Sequence, residues 1–406
     1  MGTPASGIYR PRNVKASPLY GLVEDHFDRF AELYDEQFAP THGYWRPVIR
    51  KVAEKFLDCG DLRRGFARIA CENPECRQEM LLAFSCRGRY FCPSCHAKRV
   101  ALFASRLESE VLAEVPHRQY VFTIPKLLRL HFRFDRRLLG LLSSCAWKAI
   151  LQMMRAVIAE PKGVAGMVAS IQTYGDQAAN GHPHCHAIVS DGLFLPDGEF
   201  CPLPPLDPTQ LMLLFRHHLL RQLLQKEKIT ETSVEILDRF RHPGFSAFRG
   251  SAIQPQDTAG REKLGVYILH PPIALQRLDY LSGDQVLVHP SPRILRLHAP
   301  LPKNAAPDGS LSLDPLECLA SLTDHIPDPG QHRVRFFGWY SNKTRGVRKK
   351  QTARLVPAAS PPAAAEGTLP QSDLPILDER PDDAWHQECR RTWARSQVRA
   401  SMFSSA

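Results

Sequence analysis

Between Phe27 and Leu57 apolar residues recur mostly three or four positions apart, the period of a helix with one buried stripe, with a break at Pro40 to Gly43. That spacing predicts two helices leading into a cysteine-rich stretch. Val100 to Ala113 reads as a further helix, and QYVFTI at Gln119 to Ile124 as a strand. Pro125 stops it, because proline has no N–H to give to a sheet ladder. A long helical stretch, Leu127 to Glu160, precedes a strand at Met167 to Tyr174, a Gly/Asp/Asn-rich turn and a second strand at His184 to Ser190. Asp191-Gly192 and Asp197-Gly198 bracket Leu193 to Pro196 as hairpin turns do. Helical spacing returns at Leu211 to Lys228 and at Ala259 to Leu269. Strands alternating with long helices predict an α+β or α/β core at 106–350, behind a small metal-stapled unit at 1–105. The tail, 351–406, begins with the linker composition VPAASPPAAAEGTLP, which has little to bury.

Composition narrows this picture. A chain of 406 residues with 43% hydrophobic content can bury one large core or two to three smaller ones, which excludes a disordered or fibrous protein. No continuous apolar run reaches the roughly 18 residues that span a bilayer. Met1 to Leu19 lacks the apolar core of a secretory signal, so the expectation is a cytoplasmic protein without a membrane partner. A formal charge of +10 favours a polyanionic partner. Of the 11 cysteines, six fall between Cys59 and Cys95, and in a reducing compartment such a cluster points to metal rather than disulfides.

Cys71, Cys76, Cys92 and Cys95 form a C-x4-C, spacer, C-x2-C pattern, with the second pair in the tight turn Phe91-Cys92-Pro93-Ser94-Cys95. Four soft thiolates make a closed tetrahedral zinc site, which is structural because no position is left for chemistry. Cys86, Cys59 and His96 are alternates. Arg87, Arg89, Lys98 and Arg99 flank the cluster and suit phosphate contacts.

In His182-Pro183-His184-Cys185-His186 three imidazoles stand at every second position. Alternate residues of a strand share a face, so His184 and His186 can hold one ion from a rigid support. Packing alone does not explain them, since each buried imidazole needs a polar partner. Two imidazoles and one further polar ligand leave positions open for phosphate oxygens, as at a catalytic Mg or Mn site. Gln172 on the preceding strand is the expected third ligand, with His182 its rival.

The segment Ile171 to Phe200 (IQTYGD..NGHPHCHAIVSDGLFLPDGEF) resembles the histidine-hydrophobe-histidine (HUH) region of the IS91 family of transposases, and SCRGRYFCPSCHAKR resembles that family's zinc-binding domain. HRQYVFTIPK at His117 to Lys126, YILHPPIALQRL at Tyr267 to Leu278 and VRFFGWYSNKTRG at Val334 to Gly346 resemble it too, colinearly from about Asp25 to Lys350. The resemblance implies an α+β fold: an HUH endonuclease-like antiparallel sheet flanked by helices, after a small helical zinc-binding domain. It maps the metal histidines onto His184 and His186 and the nucleophile onto Tyr267. It implies an enzyme that nicks single-stranded DNA at element ends and target, keeps the 5′ end as a phosphotyrosine and releases a 3′ hydroxyl. Related chemistry serves plasmid-type rolling-circle initiators and relaxases, and a zinc-dependent DNA-binding protein without catalysis is the alternative from another class. Two-tyrosine members carry a second tyrosine where this chain has Lys263, and Cys185 replaces the motif's hydrophobe. Many members also continue into a further cysteine-containing segment, which implies a shortened copy here.

Lys263 lies one helical turn before Tyr267, where its charge can lower the phenol's pKa or grip a phosphate. Lys343, Arg345, Arg348, Lys349 and Lys350 form a run without an acidic residue, after Phe336, Phe337, Trp339 and Tyr340. Aromatics beside cations suit stacked bases and phosphates of a single strand, or else a core strand followed by a basic tail.

Overall fold

A computed structural model of the chain describes residues 13–355, except 72, 74, 77, 176–180, 206, 241–243, 273, 282–284 and 291–304. Helices α1 (Pro18–Gln37), α2 (Ala39–His42) and α3 (Pro47–Leu57) come first. Ser17 caps α1 by accepting the Tyr20 N–H, and Pro18 sits in the first turn, where no helical partner for an N–H is missed. The stripe Leu19, Leu22, Phe27, Phe30 and Tyr34 is buried, and α3 adds Ile49, Ala53 and Phe56. Their core is completed from far along the chain by Leu278, Val286, Leu316 and Leu319.

Next come the hairpin β1 (Phe66–Ala70) and β2 (Glu79–Ala83), helix α4 (Pro93–Arg106) and strand β3 (His117–Thr123). The helical stretch expected from Leu127 is two helices, α5 (Lys126–Phe134) and α6 (Leu139–Ile158). Asp135 divides them, because its carboxylate accepts the Arg137 N–H and starts a tighter turn. The segment Arg136–Ile158 is long and apolar enough to cross a membrane by length and composition. Its Leu142, Ala146, Ala149, Ile150 and Met153 instead belong to the main core.

Strands β4 (Gly166–Tyr174), β5 (Gly181–Ser190), β6 (Gly192–Phe194) and β7 (Phe200–Pro202) follow, then α7 (Pro208–Gln225), α8 (Glu231–Arg239), β8 (Ser246–Ile253) and α9 (Thr258–Ile268). Beyond them β9 (Leu278–Leu281), β10 (Gln285–Val288) and β11 (Leu311–Leu313) form a small sheet, followed by a helix at Pro315–Thr323, strand β12 (Val334–Gly338) and a helix at Asn342–Leu355.

The central sheet has the order β12-β4-β5-β3-β8 with every neighbouring pair antiparallel. Its two middle strands are almost wholly buried, and the pleat sorts their side chains. Met167, Ala169, Ile171, Cys185, Ala187 and Val189 face the core built with α6 and α7. Val168 and Ile188 face the opposite layer, where Val100 of α4 and Leu264 and Ile268 of α9 meet them. Two-residue periodicity puts Gln172, His184 and His186 on this second face. Cys185 therefore serves the core, and burial pushes its thiol up to about 12.

Asp197-Gly198 makes the β6–β7 turn, with Gly198 at φ +98°. Asp191-Gly192 is no hairpin, because β6 pairs with β7 and not with β5. The Asp191 carboxylate instead meets Arg118 at 2.7 Å and Arg249 at 3.2 Å, joining β3 and β8 at the end of β5. Asp191→Ala would leave two poorly exposed guanidinium groups sharing no carboxylate. It is expected to cost about 3 kcal/mol, read as a lowered midpoint in urea unfolding.

Candidate metal centres and nucleophile

Cys92 is the N-cap of α4 and Cys95 lies in that helix's first turn, so one turn presents both sulfurs. The base of the β1–β2 hairpin supplies two more. Gly60 N–H donates to Phe84 O, Phe84 N–H donates to Gly65 O, and Cys86 N–H donates to Cys59 Sγ at 3.4 Å, which closes the chain on itself at Cys59 and Cys86. The sulfur separations are 3.8 Å for Cys59 to Cys92, 3.7 Å for Cys59 to Cys95 and 3.5 Å for Cys86 to Cys95. Sulfurs held 2.3 Å from a tetrahedral zinc stand about 3.8 Å apart, so this set fits the ion. Hydrogen bonds from Cys59, Cys86 and Cys92 hold the Cys95 thiol well below its ordinary value.

The structure brings Cys59 and Cys86, and not the expected Cys71 and Cys76, together with Cys92 and Cys95. Five paired residues in each strand carry them to the tip of the hairpin, where Cys71 N–H bonds Gln78 O and Cys76 N–H bonds Asn73 O, while Cys59 and Cys86 flank its base. The alternate His96 is not a member either: its Nε2 lies 2.7 Å from the carbonyl of Leu269 and its Nδ1 accepts the Tyr90 N–H. Cys59→Ser is expected to lower the zinc content from about one per chain to near zero, while Cys71→Ser keeps it, as read by elemental analysis of purified protein. Equal zinc in both variants would remove Cys59 from the ligand set.

At the second centre the Nε2 atoms of His184 and His186 converge to 2.9 Å. His184 Nδ1 lies 2.7 Å from the carbonyl of His182, which takes its proton and leaves Nε2 as the ligating nitrogen. Gln119 Nε2, on β3, lies 3.3 Å from His186 Nδ1. The two nitrogens stand close enough for one ion to bind both.

Gln172 is the register partner of His184. Its Nε2 donates to Ile268 O at 3.0 Å, which fixes the amide plane, and its buried Oε1 has no hydrogen-bond partner. His182 Nε2 is likewise buried without a partner, and burial pushes that imidazole down to about 3. Both expected third ligands thus present an unused lone pair near the pair of histidines, and the cross-strand position of Gln172 places it on the same face.

Helix α9 brings the tyrosine. Leu264 and Ile268 bury its inner side, Arg261 bonds Glu108 at 2.6 Å, and Gly265 lies so close to α4 that an added Cβ would stand 3.0 Å from Ala104 Cα. The outer side leaves Lys263 exposed and Tyr267 37% exposed. The Tyr267 ring packs edge-on to His186 with centroids 5.3 Å apart, so the phenol stands beside the histidine pair. Of the other tyrosines, Tyr174 is buried with its hydroxyl on His270 O and its pKa pushed up by burial, and Tyr280 bonds Asp25 and His26. His270, which the sequence does not mark as a site residue, stands 5.7 Å from the Tyr267 ring and donates through Nδ1 to the Tyr267 carbonyl at 2.8 Å. The only signal for it is its position one turn after Tyr267.

A family model described as "Transposase zinc-binding domain" matches residues 26–124, and one described as "Putative transposase" matches residues 166–348. The chain belongs to the IS91 family of transposases. This transposase is 25% identical over 371 residues to "Putative transposase y4qJ" of Sinorhizobium fredii, covering 86% of the chain and 87% of that protein. It is 24% identical over 331 residues to "Transposase for insertion sequence element IS801" of Pseudomonas savastanoi pv. phaseolicola, covering 79% and 77%. No solved structure matches the chain. The first matched region contains the four converging cysteines and the second contains Gln172, both histidines, Lys263 and Tyr267.

The basic residues of the transposase singled out in the sequence differ in exposure and setting. Arg87 is exposed, with Arg89, Lys98 and Arg99 half-buried beside the cysteines. The helix Asn342–Leu355 carries Lys343, Arg345, Arg348, Lys349 and Lys350 without an acidic residue. Of the aromatics before it, Tyr340 is buried and Phe336, Phe337 and Trp339 are half-buried. Trp339 lies flat on Phe194 at 4.3 Å, Phe337 stacks on Trp147, and Tyr340 is buried with its hydroxyl 2.6 Å from His117 Nε2. Phe337 packs against the main core and Phe336 and Trp339 against the opposite layer, from the edge strand β12 and the residue after it.

Proposed function

We propose that this transposase is a metal-dependent HUH single-strand DNA endonuclease that cuts and rejoins DNA through a 5′-phosphotyrosine during rolling-circle transposition in the cytoplasm. The observation that carries the reading is the convergence of His184 and His186 Nε2 to 2.9 Å beside the ring of Tyr267. His184, His186 and Gln172 would hold Mg or Mn, which when bound polarises the scissile phosphate and stabilises its developing charge. Tyr267 Oη forms the new bond to phosphorus as the P–O3′ bond breaks. The phenolic proton leaves to solvent, and the 3′ oxygen takes one up as the hydroxyl that later receives the strand. Lys263, on the exposed face one turn earlier, grips a neighbouring phosphate, and Arg87, Arg89, Lys98, Arg99 and the basic residues of the last described helix bind the backbone without reading sequence.

A labelled single-stranded oligonucleotide carrying an element end tests this. Purified protein with Mg or Mn is expected to cut it, chelator to stop the reaction, and the duplex form to resist. Cutting that continues in excess chelator would overturn the metal-dependent reading.

A further inference from the structure

The helix that carries Tyr267 ends in Ile268-Leu269-His270-Pro271-Pro272. A helix leaves its last carbonyls without backbone donors, and two prolines supply none to replace them. Here three successive carbonyls are taken up by side chains from elsewhere. Gln172 Nε2 donates to Ile268 O at 3.0 Å, His96 Nε2 donates to Leu269 O at 2.7 Å, and the Tyr174 hydroxyl donates to His270 O. Gln172 and Tyr174 belong to the strand beside the catalytic histidines, but His96 directly follows Cys95 in the first turn of α4. It is buried, and the Tyr90 N–H holds its other nitrogen at 3.2 Å, so its direction follows the fold of the cysteine knuckle. Farther along the same two helices, Gly265 and Ala104 pack backbone to backbone.

We infer that His96 is a positioning residue through which the zinc knuckle sets the place of Tyr267, so that the zinc domain is part of the cleavage apparatus and not only a DNA-binding appendage. This rests on Tyr267 being the nucleophile. Zinc holding Cys92 and Cys95 fixes the start of α4, the start of α4 aims His96, and His96 fixes the carbonyl two residues beyond the reactive tyrosine. A small displacement at a nucleophile slows the chemical step far more than it weakens substrate affinity, because the reacting atoms need close alignment while the proposed phosphate contacts are spread over many basic side chains.

The test separates positioning from folding and from DNA affinity. His96→Phe fills the same space without either hydrogen bond, His96→Asn keeps a group only where Nδ1 stands, and His96→Gln restores a donor toward Leu269. Single-turnover adduct formation on a labelled single strand is expected to fall about ten- to a hundredfold in Phe and Asn and to recover in Gln, with Kd for the oligonucleotide and zinc content unchanged. Hydrogen exchange of the peptide covering 258–270, measured in the full chain without DNA, is expected to quicken in Phe and Asn. In the wild type it is expected to quicken when zinc is withdrawn by a chelator in excess Mg. Wild-type rates and protection in all three variants would overturn the inference, and so would unchanged exchange in the zinc-stripped wild type, even if His96→Phe fails to fold. The exchange readout does not involve the tyrosine hydroxyl, so a failure of Tyr267 as nucleophile would show in the adduct assay alone.

Discussion

Tyr267→Phe is expected to abolish the covalent protein–DNA adduct while the protein folds as before. The substitution removes one hydroxyl from a side chain that is 37% exposed, so the buried contacts of α9 through Leu264 and Ile268 are untouched and stability should change by less than about 0.5 kcal/mol. The reaction, in contrast, loses the atom that bonds phosphorus, and no residual transesterification remains. A denaturing gel of protein mixed with labelled single-stranded DNA reads the result as the loss of a slow-migrating band. Lys263 stands where a second tyrosine would be, so wild type should form one adduct per chain, and strand transfer must use that tyrosine in turn or enlist a second subunit. If the phenylalanine variant still forms the adduct, another residue is the nucleophile. Tyr174 is a poor substitute, buried with its hydroxyl on His270 O, and Tyr280 is engaged with Asp25 and His26. Cutting by wild type without any adduct would point to water instead.

His184→Ala and His186→Ala should each reduce nicking by roughly a thousandfold or more, since metal stabilisation of a transferring phosphate is worth several kcal/mol and 1.4 kcal/mol is a factor of ten. DNA binding should persist in both, weakened in proportion to salt, because lysine and arginine contacts to the backbone do not need the ion. Filter binding alongside the nicking assay separates these effects. Equal loss of binding and cutting would mean that the histidines hold the fold instead, and undiminished nicking in either variant would remove the metal assignment. Gln172→Ala is a graded case: it removes the buried Oε1 proposed as a ligand and also the donor to Ile268 O, so it is expected to disturb both ion binding and the end of the tyrosine helix.

What the sequence by itself determined are the features with a local cause. Two-residue alternation placed His184 and His186 on one side of a strand with Cys185 on the other, because the pleat leaves no alternative. Cys92-Pro93-Ser94-Cys95 made a two-sulfur turn by its own geometry, and helical spacing located α9 and its tyrosine to within a residue or two. Local patterns failed where the answer was a long-range contact. The spacing of Cys71 and Cys76 looked as good as any, but pairing of β1 with β2 carries those two to the hairpin tip and closes Cys59 on Cys86 at its base. Of the aromatics before the basic helix, Trp339, Phe337 and Tyr340 meet Phe194, Trp147 and His117, contacts that no local pattern announces. The edge strand β8 alternates in exposure without a strong apolar pattern and forms because β3 offers it a ladder. His96 illustrates the divide best. Beside Cys95 it reads as a ligand, and only the packing of α4 against α9, 173 residues away, turns it toward Leu269, because a buried imidazole goes to whichever partner the tertiary fold brings within reach.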